Sequence, residues 1–505
     1  MTSKRNPPTS LHPRTSEWNR RSTLRIYNTL TKQKERFTPI EPGKIRMYTC
    51  GLTVNYLMHI GHARTYIFWD VVERFLQYLG YEVKHISNVT DISVDDNILN
   101  RVQASGEAFQ QLVTRQTRNY YMDRQLLGIA DPSTYAIATQ HIQEMIHLVQ
   151  TLLEKGVAYE ADDGVYFRIS RFPAYGRLAG IDPQKLQAGA SGRVDKDEYD
   201  KDQVGDFVLW KQAKPDEPFW WSPWGPGRPG WHLECSAMAK KYLGDTLDIS
   251  GGGEDNIFPH HENSIAQSEA ANEKPYVRYW MHVRHLKLDG EKMSKSVGNL
   301  ITVREAVNRF GAATLRLYLL SMHYRKPLTF KEAELKRVRK QVERLRKVLV
   351  HLRALAEFAE PSEKTIEQDT SFQEVEVAIE EALLDDFNTG RAINTLFRLV
   401  NRIQGQLETP SAVSSNSAQA LLAFFSKIGI ILFGDLYQRE IDSEIDPVIK
   451  QLIEALLQQR AQLRAENKYQ EADGIRTKLN ELGFELADTK SHTYWWLKSP
   501  NTKKE

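Results

Sequence analysis

Only two cysteines occur in 505 residues. Two thiols cannot staple a chain of this length, which excludes a disulfide framework and fits a reducing, cytoplasmic setting. Long apolar runs are missing as well. None approaches the roughly 20 residues of a membrane span, so no membrane partner is expected. Neither sign of charge dominates: 67 Lys and Arg stand against 65 Asp and Glu, for a net charge of +2. A uniformly basic nucleic-acid surface is thereby excluded, and any such surface must be a local patch. No internal repeat is visible. What is present is an ordinary globular composition, 41% hydrophobic and 26% charged, in a chain long enough for three or more domains.

Residues 1–23 are polar, proline-bearing and basic, with Glu17 the single acid. An acid-poor start rich in Arg, Ser and Thr has the composition of an organellar transit peptide. Pro7, Pro8 and Pro13 spoil the amphipathic helix such a peptide needs, and a disordered extension is the preferred expectation. Ile45–Cys50 alternates as a strand that Gly51 breaks, and Tyr66–Leu79 carries apolar residues at helical spacing. His59 and His62 then fall at the start of a helix that follows a strand, where free N–H groups favour an anion. Val83–Asp91 reads as the next strand. This βαβ pattern predicts an α/β fold with a parallel, Rossmann-like sheet and ligand at the strand C-termini.

Further on, 92–130 reads as a helical excursion, Pro132 as the opening of a helix to Lys155, and Gly164–Ile169 as a strand. The segment up to Arg228 is rich in loops and aromatics, and its tryptophans (Trp210, Trp220, Trp221, Trp224) are expected to pack rather than stack on bases. Lys331–Leu352 reads as a helix that buries Leu335, Val338, Val342, Leu345 and Leu349. Its other face carries Arg337, Lys340, Arg344 and Lys347, either simply solvated or tracking phosphates. Ala359–Ser371 and Thr409–Gln419 read as linkers around the helices Ala392–Gln406 and Leu421–Phe433. Pro447–Glu466 and Tyr469–Gly483 read as a helical hairpin before Thr493-Tyr-Trp-Trp-Leu-Lys498.

The stretch from Pro229 to Ser264 is the densest in chemistry. It holds Cys235 and, 25 positions later, His260 in Phe-Pro-His-His-Glu-Asn. A thiol and an imidazole are borderline-soft zinc ligands. The other cysteine, Cys50, lies just before His59-Ile-Gly-His62, and each thiol sits beside a Gly-rich turn and a histidine cluster. One shared metal site and two buried small hydrophobes both remain open on spacing alone.

His59-Ile-Gly-His62 and Lys292-Met-Ser-Lys-Ser296, 230 residues apart (292 − 62), are the paired signatures of class I aminoacyl-tRNA synthetases. Leu24-Arg-Ile-Tyr-Asn-Thr-Leu, Gly230-Trp-His-Leu-Glu-Cys235, Phe258-Pro-His-His-Glu-Asn263 and Asp385-Asp-Phe-Asn-Thr389 resemble the cysteinyl-tRNA synthetase family from about Leu24 to the C-terminus. The resemblance implies an ATP-dependent cysteine–tRNA ligase. It divides the chain into an extension (1–23), two catalytic halves (24–130, 229–330) around an insertion (131–228), a helical tRNA-binding bundle (331–440) and a C-terminal anticodon-recognition domain (441–505). It implies that His59, His62, Lys292 and Lys295 are catalytic. ATP, with Mg2+, is bound by His59, His62, Gly252, Asp255 and Lys295. Trp231 and Thr90 line the amino-acid pocket, and Cys50, Cys235 and His260 hold one Zn2+ that takes the substrate sulfur. Its partners are L-cysteine, ATP and tRNA(Cys), and a monomer is expected.

One departure stands out. The family's fourth ligand is a glutamate four residues after the histidine, where this chain has Ser264, one helical turn from His260. Leu52 stands for the usual proline after Cys50-Gly51, and Asn55-Tyr56 stands where tyrosine and aspartate are common. Two other readings compete: a ligase joining cysteine to an amino sugar, and a non-catalytic tRNA-binding paralogue. The length of the chain counts against the first, and the intact His59, His62, Lys292 and Lys295 count against the second.

Overall fold

The alternating segment at Ile45–Cys50 becomes the middle strand of the main sheet. The computed structural model describes residues 23–92, 97–182, 206–215, 217–288, 291–292, 300–358, 371–407, 414–441, 447–488 and 493–497. Nearly all of the expected disordered extension (1–22) thus lies outside the described residues. The strand is β1 (Lys44–Thr53), flanked by β2 (Glu82–Thr90) and β3 (Thr134–Ile137) on one side and by β4 (Leu247–Gly253) and β5 (Val277–Val283) on the other. All four pairings are parallel, in the order 3-2-1-4-5. The order reverses between β1 and β4, and such a reversal opens a crevice beyond the carboxyl ends of the strands.

Gly51 does not end β1. The strand continues to Thr53 through a register shift between Thr49 and Leu52, a bulge rather than a break. A Cβ on Gly51 would stand 1.7 Å from the Asn88 carbonyl oxygen, so only glycine lets β1 and β2 lie this close. Nor does a helix start at Pro132: Thr134-Tyr-Ala-Ile137 pairs with β2 first, and the helix runs only from Ile142 to Glu154. β-branched and aromatic residues suit that edge better than a helix turn.

Helix α1 (Ile60–Tyr78) follows β1 and buries Ile60, Ile67, Val71 and Phe75. Arg316, fully buried, ties it down. The Arg316 guanidinium donates to Asp70 on α1 and to the carbonyls of Leu127, Gly128 and Leu432. After β3 the chain builds an antiparallel five-stranded sheet from Ala158–Ala161, Gly164–Phe167, Phe207–Gln212, Gly225–Pro229 and Trp220–Ser222, in that spatial order. Trp210 is buried edge-on against Trp224, as packing predicts, but Trp221 is 72% exposed on the edge strand. Helices α2 (Trp231–Leu243) and α3 (Glu262–Asn272) then flank β4.

Helices Asn97–Ser105 and Phe109–Leu126 follow β2, Val303–Phe310 follows β5, and beyond it come α4 (Ala312–Leu320), α5 (Glu332–Phe358), α6 (Ser371–Leu384), α7 (Thr389–Leu407) and α8 (Ser415–Phe433). Leu335, Val338, Val342, Leu345 and Leu349 of α5 are all buried, as their spacing predicts. The linker expected at Thr409–Gln419 is shorter than its polarity implied, because the Ser414 hydroxyl accepts the Ser417 N–H and caps α8. Residues 359–370 and 408–413 lie outside the described residues. α8 also corrects the reading of apolar runs, since it is long and apolar enough to cross a membrane. In this fold its Leu421, Phe424, Phe425, Ile428, Ile431 and Leu432 are buried in the core. The C-terminal part is a hairpin of α9 (Pro447–Ala465) and α10 (Tyr469–Glu481), followed by paired strands Phe484–Asp488 and Thr493–Leu497.

Candidate active site at the carboxyl edge of the sheet

Most of the residues singled out in the sequence that the structure describes lie toward the carboxyl ends of strands, in the turns that follow them, or in the first two turns of the helices beyond. His59 is the N-cap of α1. Its Nδ1 accepts the N–H groups of Gly61 (3.1 Å) and His62 (3.3 Å), while His62 Nδ1 accepts the His59 N–H at 3.4 Å. The two rings stack with centroids 3.6 Å apart. Two imidazoles are thereby fixed at a helix end whose dipole favours negative charge.

Lys295 lies outside the described residues, and of Lys292 only the backbone is described, paired with Lys287. The chain on both sides of that segment is nonetheless anchored beside His59. Upstream, the Arg64 guanidinium donates to the His285 carbonyl at 2.8 Å, and its other terminal nitrogen donates to the carbonyl of Lys326, beyond the segment. Glu254 accepts from the His285 N–H and the Arg284 guanidinium, both at 2.7 Å. Downstream, Ile60 N–H donates to Ile301 O and Val303 N–H to Met58 O. Burial pushes the Arg64 guanidinium down to about 10, still charged at neutral pH.

The thiols meet on the other side of the crevice. Cys50 Sγ is 3.0 Å from His261 Nε2, and the Cys235 thiol is near enough to Cys50 and His260 for both to act on its charge. Cys50, His260 and His261 offer donor atoms that all lie within 4.8 Å of one another. The Cys50 thiol and the Tyr48 hydroxyl beside it, with His260, hold the Cys235 thiol well below its ordinary range despite burial. The hydrogen bond to Cys235 and burial push Cys50 the other way. Burial keeps His232 and His261 neutral and holds His282 down at about 3.

Around this cluster the expected lining residues take distinct parts. The Trp231 ring stacks on His260 with centroids 4.5 Å apart. Thr90 is a support: its hydroxyl donates to Glu234 at 2.7 Å and accepts from Asn88 at 3.0 Å, and Asn88 in turn accepts the Gly51 N–H. A Cβ on Gly252 would stand 3.4 Å from Cys50 Cβ, so this turn lies directly against the thiol. Asp255 follows in a short helical turn whose side chain reaches back to Gly253. Ser264 is not aimed at the cluster; its hydroxyl donates to the His260 carbonyl at 2.8 Å. Glu262 faces elsewhere too, accepting the N–H groups of Gly176, Leu178 and Ala179.

Three side chains went unassigned in the sequence. His261 was visible only as half of the His-His pair. His282 sits in a strand of mixed aromatic and aliphatic residues with no local signature, and Glu234 reads as one more helix residue before Cys235.

The chain matches the family model for the "tRNA synthetases class I (C) catalytic domain" over residues 36–340, the DALR domain over 378–433 and the "Cysteinyl-tRNA ligase anticodon binding domain" over 446–495. It is 43% identical to a cysteine–tRNA ligase of Symbiobacterium thermophilum over 477 residues, covering 94% of this chain and 99% of that one. It is 44% identical to one of Shewanella loihica, with the same coverage. In fold it is similar to the Mycobacterium tuberculosis methionyl-tRNA synthetase in complex with methionyl-adenylate (TM-score 0.59, 15% identity, covering 79% of this chain and 92% of that one). A leucyl-tRNA synthetase of Agrobacterium radiobacter is also similar in fold (TM-score 0.58, 12% identity, 79% and 86%). With a reversed-order parallel sheet, a histidine-capped helix at the switch point and relatives that match almost end to end, the chain belongs to the cysteine–tRNA ligase family of class I aminoacyl-tRNA synthetases.

Proposed function

We propose that this chain condenses L-cysteine with ATP to give cysteinyl-adenylate and pyrophosphate, then passes the cysteinyl group to a terminal ribose hydroxyl of tRNA(Cys). The observation that carries this reading is a buried thiol–imidazole cluster on the same sheet edge as a helix N-terminus bearing two histidines. In the first step a cysteine carboxylate oxygen attacks the α-phosphorus, the bond to the bridging oxygen breaks, and negative charge gathers on the departing pyrophosphate. Positioned donors lower that barrier most effectively. His59 and His62 supply them with the α1 terminus, and Lys292 and Lys295 are delivered by a segment held at both ends against α1. Gly252 and Asp255 bound the nucleoside side, and Mg2+ accompanies ATP.

The donor set fits a zinc ion. Two thiols and an imidazole are the soft and borderline ligands it favours, and Cys235 is already held toward the thiolate that ligation needs. Cys50, Cys235 and His260 would hold it. Once bound, it favours a thiolate over a hydroxyl, and so separates cysteine from serine where packing against the missing size difference gives only about 10- to 200-fold. Trp231 closes the pocket, and Thr90 steadies its floor through Glu234.

The sequence division is retained in this reading. Residues 24–130 and 229–330 make up the catalytic halves, with one adjustment: the edge strand Thr134–Ile137 also belongs to the parallel sheet, so the first half runs past 130 to include it. The insertion, expected from 131, begins only after that strand and runs to 228, with the bundle at 331–440 and the anticodon-recognition part at 441–505. Among the described residues, Arg337 and Arg344 bond Glu334 and Asn401 at the surface, pairs weak enough to yield to tRNA phosphates. A monomer working in the cytoplasm, without a membrane partner, suits two free buried thiols.

ATP–pyrophosphate exchange with cysteine and with serine, followed by charging of tRNA(Cys) and of a free amino sugar, tests the proposal. Cysteine-dependent exchange and tRNA charging are expected. No exchange would favour a non-catalytic paralogue, and an amino-sugar conjugate without charged tRNA would favour the other ligase. The tRNA reading is supported by the matches over 378–433 and 446–495.

A further inference from the structure

The position four residues after His260 carries a hydroxyl that is already engaged. Ser264 Oγ donates to the His260 carbonyl on its own helix. The carboxylates near it are engaged as well: Glu262 holds three backbone N–H groups of the 176–179 turn, and Glu234 holds Thr90. Among the described residues, the His, Cys and acidic side chains whose donor atoms all lie within 4.8 Å of one another are Cys50, His260 and His261. His261 reaches the cluster from a different side than Ser264 would, with Nε2 pointed at Cys50 Sγ.

The rest of the His261 ring is held as metal-bound imidazoles usually are, by a partner on the second nitrogen. Its Nδ1 is 2.7 Å from His282 Nε2, and His282 Nδ1 is 2.9 Å from the Thr29 hydroxyl. Trp280 packs on the ring with centroids 4.8 Å apart. Thr29–His282–His261 thus forms a brace, buried at both histidines, that ends on the thiol; it draws on β5, the turn between the paired strands Arg25–Asn28 and Gln33–Arg36, and the residue before α3.

We propose that His261 takes the place of the missing glutamate as the fourth protein ligand of the metal, beside Cys50, Cys235 and His260. This rests on the metal reading above. The exchange replaces an anionic oxygen by a neutral nitrogen. Two thiolates and two imidazoles balance a divalent ion, whereas a set with a carboxylate leaves one extra negative charge. A neutral site repels an incoming thiolate less, so the family's loss of a ligand charge becomes a gain for a thiol substrate.

The test uses the full chain, stripped of metal and loaded with one equivalent of zinc. X-ray absorption at the zinc edge counts two sulfurs and two imidazoles in the wild type if His261 ligates. Two sulfurs and a single imidazole would overturn the proposal, leaving His261 as a hydrogen-bond donor to Cys50. Zinc titration against a chelator gives the second readout. His261→Asn is expected to lose roughly 10- to 100-fold in affinity, and adding Ser264→Glu to it should recover most of that loss. Affinity unchanged in His261→Asn would again overturn the proposal. If His261→Asn does not fold, the wild-type spectrum decides alone. Failure of the wild type to bind zinc at all would be a different result: it removes the metal reading, and this ligand with it.

Discussion

The two sides of the crevice are built in opposite ways. On the thiol side, Cys50, Cys235, His260, His261 and His282 are buried and meet where β1, α2, the turn before α3 and β5 converge. On the side proposed for the phosphates, His59 and His62 are only partly buried at a helix tip, and the described chain before and after 293–299 is hydrogen-bonded to α1 and the turn that precedes it. Recognition of one atom type needs donors that cannot shift, because a relaxed pocket would accept an oxygen as readily as a sulfur. Charge that develops on a departing pyrophosphate needs donors that can close on it and then release it.

The sharpest way to break this comparison is Cys235→Ala. It removes the thiol held closest to thiolate and should abolish both zinc retention and cysteine-dependent exchange. ATP binding measured at equilibrium should persist, since the other side is untouched. Loss of ATP binding in a folded variant would mean that the two sides are one unit. Lys295→Ala comes next. Exchange should fall by about two to three orders of magnitude, the size of losing one transition-state donor, while metal content stays at the wild-type value. Unchanged exchange would remove Lys295 from the chemistry.

The two sides were also unequally legible in the sequence. The phosphate side is local: a strand, a glycine and two histidines before an apolar helical stretch place His59 and His62 at an N-terminus, and α1 starts there. The thiol side is assembled from β1, α2, the turn before α3, and β5. Spacing could say only that two thiols and a histidine suit a metal, and the ligand set came from family resemblance. His282 could not be found that way, because a histidine inside Tyr279-Trp-Met-His-Val283 looks like any strand residue. The linker before α8 and the helix after Pro132 failed for a related reason. Polar or proline-bearing stretches were read by composition, and a single cap at Ser414 and a sheet edge open to β3 decided otherwise.

Arg64 joins the two modes of construction and predicts a smaller effect. It sits two residues after His62 and holds the His285 carbonyl, upstream of the lysine segment, and the Lys326 carbonyl beyond it. Arg64→Met keeps the stem of the side chain but drops both bonds. Exchange should show a rise in KM for ATP and a fall in kcat that together reach roughly tenfold, as for a displaced catalytic group. Zinc affinity should not change. An equal loss of zinc would show that Arg64 only supports the fold.

The smallest effect on the chemistry is expected farthest from it. In the C-terminal part, Asp488 accepts from Arg460 at 2.7 and 2.8 Å, and Arg464 and Arg476 approach the same carboxylate at 3.4 and 3.5 Å. The hydrogen bond from Arg460, first among these, holds the Asp488 carboxyl down to about 2. A carboxyl lowered on folding contributes stability that is fully present above its unfolded value of about 3.9 and is lost as pH falls toward 2. Asp488→Asn leaves three guanidiniums facing one another without that anion, and Arg460 is almost wholly buried. Hydrogen exchange in the full chain should therefore show α9 and α10 opening faster than in the wild type at pH 7. The difference should narrow as pH falls below about 4, because the wild type then loses the same charge. Charging of tRNA(Cys) should weaken a few-fold, whereas cysteine-dependent pyrophosphate exchange should stay at the wild-type rate. An exchange rate that drops with charging would mean that this part of the chain acts on the catalytic crevice, and not only on the tRNA.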